Sequence, residues 1–267
     1  MGIPAFDYLR PSSLADARKA YEASGEARYI AGGQTLLPVM KQRLAQPASL
    51  IDLGGIAGLS GVRLEGHTLT IGAMTRHADV AASPDVRRLI PALAHLASLI
   101  GDPQVRNRGT MGGSLANNDP SADYPAAVLG LGATILTDSR SISADDFFDG
   151  LFTTTLEEGE IIRAISFPVP ERAAYEKFAH PASRFALAGV MVSKSAAGVR
   201  VAATGAGQAG VFRVAEMESA LGKDFSAKAI EGIKLAADDM IADIHAPAAY
   251  RAQLVSVLAR RAVAAIA

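Results

Sequence analysis

The sequence predicts an α+β fold built in two parts. Three observations carry this reading. Short strand-like runs, such as Tyr29-Ile30-Ala31 and Leu50-Ile51-Asp52-Leu53, interleave with apolar stripes at helical spacing. Pro168 and Pro170, followed by Glu171-Arg172, mark a boundary. Beyond it, two strand-like runs precede three helix-like ones, as expected where strands and helices separate into layers. A length of 267 residues suits two compact parts.

The elements follow in order. Ser13 and Asp16 have the spacing of a capping box, with Asp in place of the usual Glu or Gln, and Leu14, Ala17 and Tyr21 share one face of the helix they open. Gly25 stops it. The strand Tyr29–Ala31 ends in Gly32-Gly33, and Leu36, Leu37, Met40 and Leu44 then recur at helical spacing. Leu50–Leu53 is a second strand. Val62/Leu64 and Leu69/Ile71 alternate around Glu65-Gly66-His67, which predicts a hairpin. Ser83-Pro84 caps a helix whose stripe of Leu89, Leu93, Leu96 and Ile100 runs to Gly101-Asp102-Pro103. A loop rich in Gly and Asn spans Gly109 to Asp123, followed by a short helix at Ala126–Leu131 and a strand at Ala133–Leu136. Ile161–Phe167, Ala186–Lys194 and Val199–Thr204 read as strands, and Val214–Leu221, Ala227–Ala237 and Tyr250–Ala267 as helices.

Composition excludes several chemistries. Lys plus Arg is 26 and Asp plus Glu is 27, so no excess of positive charge favours nucleic acid or an anionic membrane. The absence of Cys removes disulfides, Cys-ligated zinc, iron–sulfur ligation by this chain and any Cys nucleophile. No Ser lies in a G-x-S-x-G elbow. The start of the chain has no basic segment or long apolar run, and no stretch has the length of a membrane span, which predicts a cytoplasmic protein.

Two segments concentrate ligand-binding potential. In Ile30-Ala31-Gly32-Gly33-Gln34-Thr35-Leu36, a strand, paired glycines, a hydroxyl residue and a helix follow one another. Glycines let backbone amides approach a ligand, and successive amides before a helix cradle phosphate. No Lys follows, so this is not a Walker A loop. Taken alone, the segment fits a ligand-free strand–helix turn equally well. The second segment, Arg108 to Asp123, contains Thr110-Met111-Gly112-Gly113-Ser114 and then Asn117, a composition suited to wrapping a polar ligand. The pair together points to a large phosphate-bearing ligand.

These segments, with Gly101-Asp102-Pro103-Gln104-Val105-Arg106, Asp119-Pro120, Asp123 and Tyr175-Glu176-Lys177, resemble the FAD-binding medium subunit of the molybdenum hydroxylases, the family of carbon monoxide dehydrogenase and xanthine dehydrogenase-like enzymes. The resemblance implies a two-part vanillyl-alcohol-oxidase-type (PCMH) FAD-binding domain over residues 1–170, with subdomains of about 1–56 and 57–170, and a small α/β C-terminal domain over 171–267. It implies that Ile30, Ala31, Gly32, Gly33, Gln34, Thr35 and Leu36 wrap the FAD pyrophosphate and that Thr110, Met111, Gly112, Gly113 and Ser114 clamp it a second time. Asn117 and Asp123 would contact the ribityl and flavin region, Ile100 and Ile162 would pack on the cofactor, and Lys177 would reach it from the C-terminal side. Gln34-Thr35 stands where the family has His-Ser, and Ser114 where it has Asn; a hydroxyl is kept at Thr35 and a hydrogen-bonding side chain at Ser114.

The implied function is electron transfer from a 2Fe–2S subunit through FAD to an external acceptor, with no catalytic side chain on this chain. Molybdopterin would sit on a large subunit and the 2Fe–2S clusters on a small one, in a heterotrimer or a dimer of heterotrimers. Two other functions compete: a freestanding flavin or nicotinamide oxidoreductase, and a cofactor-free scaffold. Gly205-Ala206-Gly207-Gln208-Ala209-Gly210 fits G-x-G-x-x-G, with Asp224 near the ribose-acid spacing, but residues 224–240 read as helix and leave the βαβ unit incomplete, so a small-residue turn between strand and helix is expected. His77, His95 and His180 are expected on surfaces or helix faces, and Asp145-Asp146 and Asp238-Asp239 as solvated pairs.

Overall fold

A computed structural model describes residues 2–267. Three sheets organise the chain, each on its own apolar core. The first holds β1 (Asp7–Leu9), β2 (Ala27–Ile30) and β3 (Ser49–Asp52) in parallel, with β3 central. The crossovers are α1 (Leu14–Glu22) and α2 (Leu36–Lys41). Ser13 caps α1 by accepting from the Asp16 amide, and Ala17, Ile51 and Leu53 fill the space beneath.

The second sheet is antiparallel, in the order β4-β5-β8-β6-β7. The hairpin β4 (Val62–Glu65) and β5 (Thr68–Gly72) forms as its alternation requires, Val62 opposite Ile71. Helices α3 (His77–Ala82), α4 (Pro84–Leu89), α5 (Pro91–Ser98), α6 (Pro103–Arg106), α7 (Met111–Asn117) and α8 (Tyr124–Gly130) precede β6 (Thr134–Thr137), β7 (Ser141–Ser143), α9 (Ala144–Phe147) and β8 (Ile162–Pro168). Ser83 caps α4 through its hydroxyl. The expected single helix from Ser83 to Ile100 is two, because Pro91 has no amide hydrogen and drives Ile90 out of helical geometry, to φ −137° and ψ 68°. The expected loop from Gly109 to Asp123 contains α7. Its two glycines are poor helix formers, but the Thr110 cap and the burial of Met111, Gly112 and Leu115 override propensity.

The third sheet is a meander of β9 (Arg172–Ala179), β10 (Ala186–Ser195), β11 (Gly198–Gly207) and β12 (Gly210–Arg213), in antiparallel pairs. Gly205–Gly210 therefore closes a strand onto a strand, with Gly207 opposite Gly210, and not a strand onto a helix. No parallel crossover follows, which removes the dinucleotide fingerprint. The sheet is buried on both faces. Val190 and Val192 face α10 (Ala215–Lys223) and α11 (Ala248–Ile266), while Tyr175, Met191 and Ala202 join the core of the second sheet. The helix expected over Ala227–Ala237 is instead two separate 3-10 turns, Ala227–Ile230 and Ala237–Asp239. Gly232 between them costs a helix about 1 kcal/mol, and Ser226 caps a single turn only. Asp145 receives Arg200 and Arg213 in place of solvent alone. No helix among the described residues is long and apolar enough to cross a membrane.

Candidate functional site

β2 delivers the chain to Gly32 and Gly33 at the edge of the first sheet. Gly33 has φ +72°, which favours glycine, and turns the backbone into α2, where the Leu37 amide donates to the Gly33 carbonyl at 3.1 Å. Among the described residues, the amides of Gly33, Gln34, Thr35 and Leu36 donate to no protein acceptor. The Thr35 hydroxyl, at the cap position of α2, also makes no capping bond. Four consecutive unclaimed amides before a helix have the donors to receive an anion.

The second segment is laced to residues 73–77. Gly112 and Met111 donate to the carbonyls of Ala73 and Thr75 at 2.8 and 3.1 Å, and His77 donates to that of Gly109 at 3.0 Å. Thr110 caps α7, its Oγ1 accepting from the Gly113 amide at 3.2 Å. The structure brings the two glycine segments together, backbone against backbone. A Cβ on Gly32 would lie 2.2 Å from the Arg108 carbonyl oxygen and 2.7 Å from Gly109 Cα; one on Gly113 would lie 3.5 Å from Ala31 Cβ. Thr110→Ala should cost about 1 kcal/mol in urea unfolding, the typical worth of such a cap.

Ser114 and Asn117 make no side-chain hydrogen bond among the described residues and lie half-buried on α7. The adjacent Asn118 is committed elsewhere: it adopts φ +43° and donates to the carbonyls of Gly150 and Thr153. Ile100 is half-buried beyond α5, and Ile162 is 6% exposed at the start of β8. Asp123 and Lys177 meet each other. Lys177 Nζ donates to Asp123 Oδ2 at 2.9 Å and to the Leu99 carbonyl at 3.1 Å, and the Tyr175 hydroxyl donates to Asp123 Oδ1 at 2.5 Å. Burial pushes the Asp123 carboxyl up, against the opposing pull of Lys177 and Tyr175. Sequence reasoning does not single out Tyr175 as a site residue, although residues two apart on a strand share a face and Lys177 is itself a candidate.

His77 opens α3, within the expected surface or helix-face positions, but it is not on the surface: it is 4% exposed. Its ring backs Gly109, where an added Cβ would fall 2.5 Å from Nε2, and lies 5.3 Å from the Tyr124 ring. Among the described residues, His77 Nδ1 and the Tyr124 hydroxyl are both buried without partners. Burial, assisted by Arg106, pulls the imidazole down to about 4 from an ordinary 6.5. The unfolded chain therefore binds the extra proton between these values. Stability from this residue is complete above pH 6.5 and falls by about 3 kcal/mol as the pH drops to 4. Chemical unfolding at pH 7 and pH 4.5 should show about 2 kcal/mol of that loss in the wild type and a smaller one in His77→Gln.

Comparison with known proteins gives a consistent picture. Residues 4–170 match the family model described as the FAD binding domain in molybdopterin dehydrogenase. The chain is 37% identical over 276 residues to the nicotine 6-hydroxylase medium subunit of Paenarthrobacter nicotinovorans, covering 98% of each. It is 37% identical over 278 residues to the carbon monoxide dehydrogenase medium chain of Hydrogenophaga pseudoflava, covering 97% of this chain and 96% of that one. Among solved structures it is similar to a chain of the H. pseudoflava carbon monoxide dehydrogenase (TM-score 0.90, 37% identity, 99% and 98% covered) and to one of quinoline 2-oxidoreductase from Pseudomonas putida 86 (TM-score 0.89, 30% identity, 99% and 98% covered).

Proposed function

The chain belongs to the family of FAD-binding domains of molybdopterin dehydrogenases, and from that membership we propose how it acts. It is the FAD-binding medium subunit of a multi-subunit molybdenum hydroxylase, and it takes electrons from a 2Fe–2S subunit and passes them to an external acceptor. Molybdopterin belongs to a large partner subunit and the 2Fe–2S clusters to a small one, in a cytoplasmic heterotrimer or its dimer. The FAD domain is of the two-part vanillyl-alcohol-oxidase type over residues 1–170, split near 56, and residues 171–267 form the C-terminal α/β domain.

The observation that carries this reading is the run of four unclaimed amides at Gly33–Leu36, held against the second glycine segment by a contact that admits no Cβ. Amides so placed neutralise a pyrophosphate without a metal or a lysine. Residues 30–36 and 110–114 hold the diphosphate. Ser114 and Asn117 have side chains free to bond the ribityl chain. Lys177, held by Asp123 and the Leu99 carbonyl, presents a fixed positive charge near the ring, and Ile100 and Ile162 exclude water beside it. The bound flavin supplies the two-electron and one-electron chemistry; the protein supplies binding, orientation and field.

The test is the visible spectrum of the complex purified with its partners, followed by acid release and chromatography. About one FAD per chain is expected. A colourless complex that takes up no FAD on reconstitution would overturn the reading and leave the scaffold in its place.

A further inference from the structure

The glycine-rich stretch that closes β11 onto β12 begins beside a buried hydroxyl. Thr204 of β11 stands opposite Gly189 of β10, and Gly189 stands opposite Lys177 of β9. Residues paired across strands point to the same face, so Thr204, Gly189 and Lys177 form one row. The turn from Asp119 to Asp123 is fastened at both ends of that row. At one end Lys177 holds Asp123. At the other, the Thr204 hydroxyl lies 2.7 Å from the Ala122 carbonyl oxygen and 3.1 Å from that of Pro120, its one proton shared between them.

Thr204 is wholly buried, and among the described residues no other donor reaches the Ala122 carbonyl. Its backbone neighbour helps: the Gly205 amide donates to the Pro120 carbonyl at 2.8 Å. Gly205 is itself fixed from behind. It has φ +79°, and an added Cβ would fall 2.5 Å from the Ala186 carbonyl oxygen. Its own carbonyl accepts from the buried Arg251 Nη1 at 2.6 Å.

The middle of the row is left empty for a purpose. A Cβ on Gly189 would lie 2.2 Å from the Tyr175 hydroxyl and 3.2 Å from Thr204 Cγ2. The space that Gly189 leaves admits the Tyr175 hydroxyl on its way to Asp123. One sheet face therefore holds the turn at three points: Thr204 through its carbonyls, and Tyr175 and Lys177 through its carboxylate. A carboxylate displaced along the row would draw the ammonium with it, because Nζ is otherwise tied only to the Leu99 carbonyl.

We propose that Thr204 is a positioning residue for the charge of Lys177: its hydroxyl fixes the turn, the turn fixes Asp123, and Asp123 fixes the ammonium. The proposal rests on the function given above, which sets Lys177 beside the flavin ring. The field of a charge falls with distance, so an ammonium held less firmly stabilises the electron-rich reduced ring less. Thr204 lies outside the stretch that matches the family model, residues 4–170. The C-terminal third thus tunes a ring that the preceding part holds.

The experiment compares the full chain with Thr204→Val, which removes the hydroxyl and keeps the shape, and Thr204→Ser, which keeps the hydroxyl and removes the methyl. Thr204→Ala replaces the Val variant should that one not fold. Without flavin, hydrogen exchange of the amides of Ser121 and Ala122 should quicken about tenfold in Thr204→Val, the scale of one lost hydrogen bond, and stay at the wild-type rate in Thr204→Ser. With FAD bound, the midpoint potential of the flavin should fall in Thr204→Val and return in Thr204→Ser. Unchanged exchange in Thr204→Val overturns the proposal. So does faster exchange with an unchanged potential, which would make the hydroxyl merely structural, or a Ser variant as impaired as the Val one, which would assign the effect to the methyl. A wild-type chain that takes up no FAD, alone or with its partners, removes the flavoprotein reading and the tuning role with it, while the exchange rates still decide whether Thr204 sets the turn.

Discussion

Gly32→Val is expected to abolish FAD retention while leaving most of the fold standing. The new Cβ would fall 2.2 Å from a backbone carbonyl oxygen and 2.7 Å from a backbone carbon, neither of which can swing aside as a side chain can. The two glycine segments must part, at a strain cost of about 1–3 kcal/mol. Parting them misaligns the amides of Gly33–Leu36. Losing two charge-assisted hydrogen bonds at about 1.5–3 kcal/mol each weakens affinity by ~100-fold or more. Fluorescence titration of the apo chain with FAD measures this directly. Gly222→Ala is the control: it sits inside α10 with open space around it, and should raise stability by about 1 kcal/mol without touching the flavin. Full FAD affinity in folded Gly32→Val would mean that the segments do not form the cradle.

Lys177→Met should be the most destabilising single change at the site. It leaves the Asp123 carboxylate buried with only the Tyr175 hydroxyl, and removing one partner of a buried pair costs about 3–5 kcal/mol. At about 2–4 °C per kcal/mol for a chain of this size, the Tm should fall by roughly 10 °C. Adding Asp123→Asn to Lys177→Met should return much of that loss, because the uncompensated charge is then gone. Calorimetry of Lys177→Met, Asp123→Asn and the double mutant reads the coupling, and an additive double mutant would show that the pair does not interact as drawn.

Much of the architecture is legible from local pattern. The hairpin over residues 62–72 follows from alternation, and Ser13 and Ser83 announce their helices because capping is a contact over three residues. The two glycine segments stand out as candidate ligand-binding backbone on equally local grounds: paired glycines ahead of a helix leave its first amides uncovered by side chains. What is not legible depends on partners distant in sequence. Asp123 and Lys177 are both visible, but not that they bind one another across 54 residues. Gly32 and Gly33 look alike, yet one is required by the segment that arrives from residue 108 and the other by its own φ. His77 looks like any polar residue at the start of a helix, because only the approach of Gly109 and Tyr124 buries it. Helix α7 is hidden by its own composition, since its stability comes from packing and not from propensity.

The third sheet lends Tyr175, Met191 and Ala202 to the core that precedes it, and Gly130 approaches so closely that an added Cβ would sit 2.7 Å from Met191. The stretch that matches the family model, residues 4–170, is therefore not a cassette. Fused alone to another protein, it would carry an open apolar wall and an Asp123 deprived of its lysine. Laboratory chimaeras that borrow it should stay folded only when they also keep the third sheet. The folding unit is longer than the matched stretch.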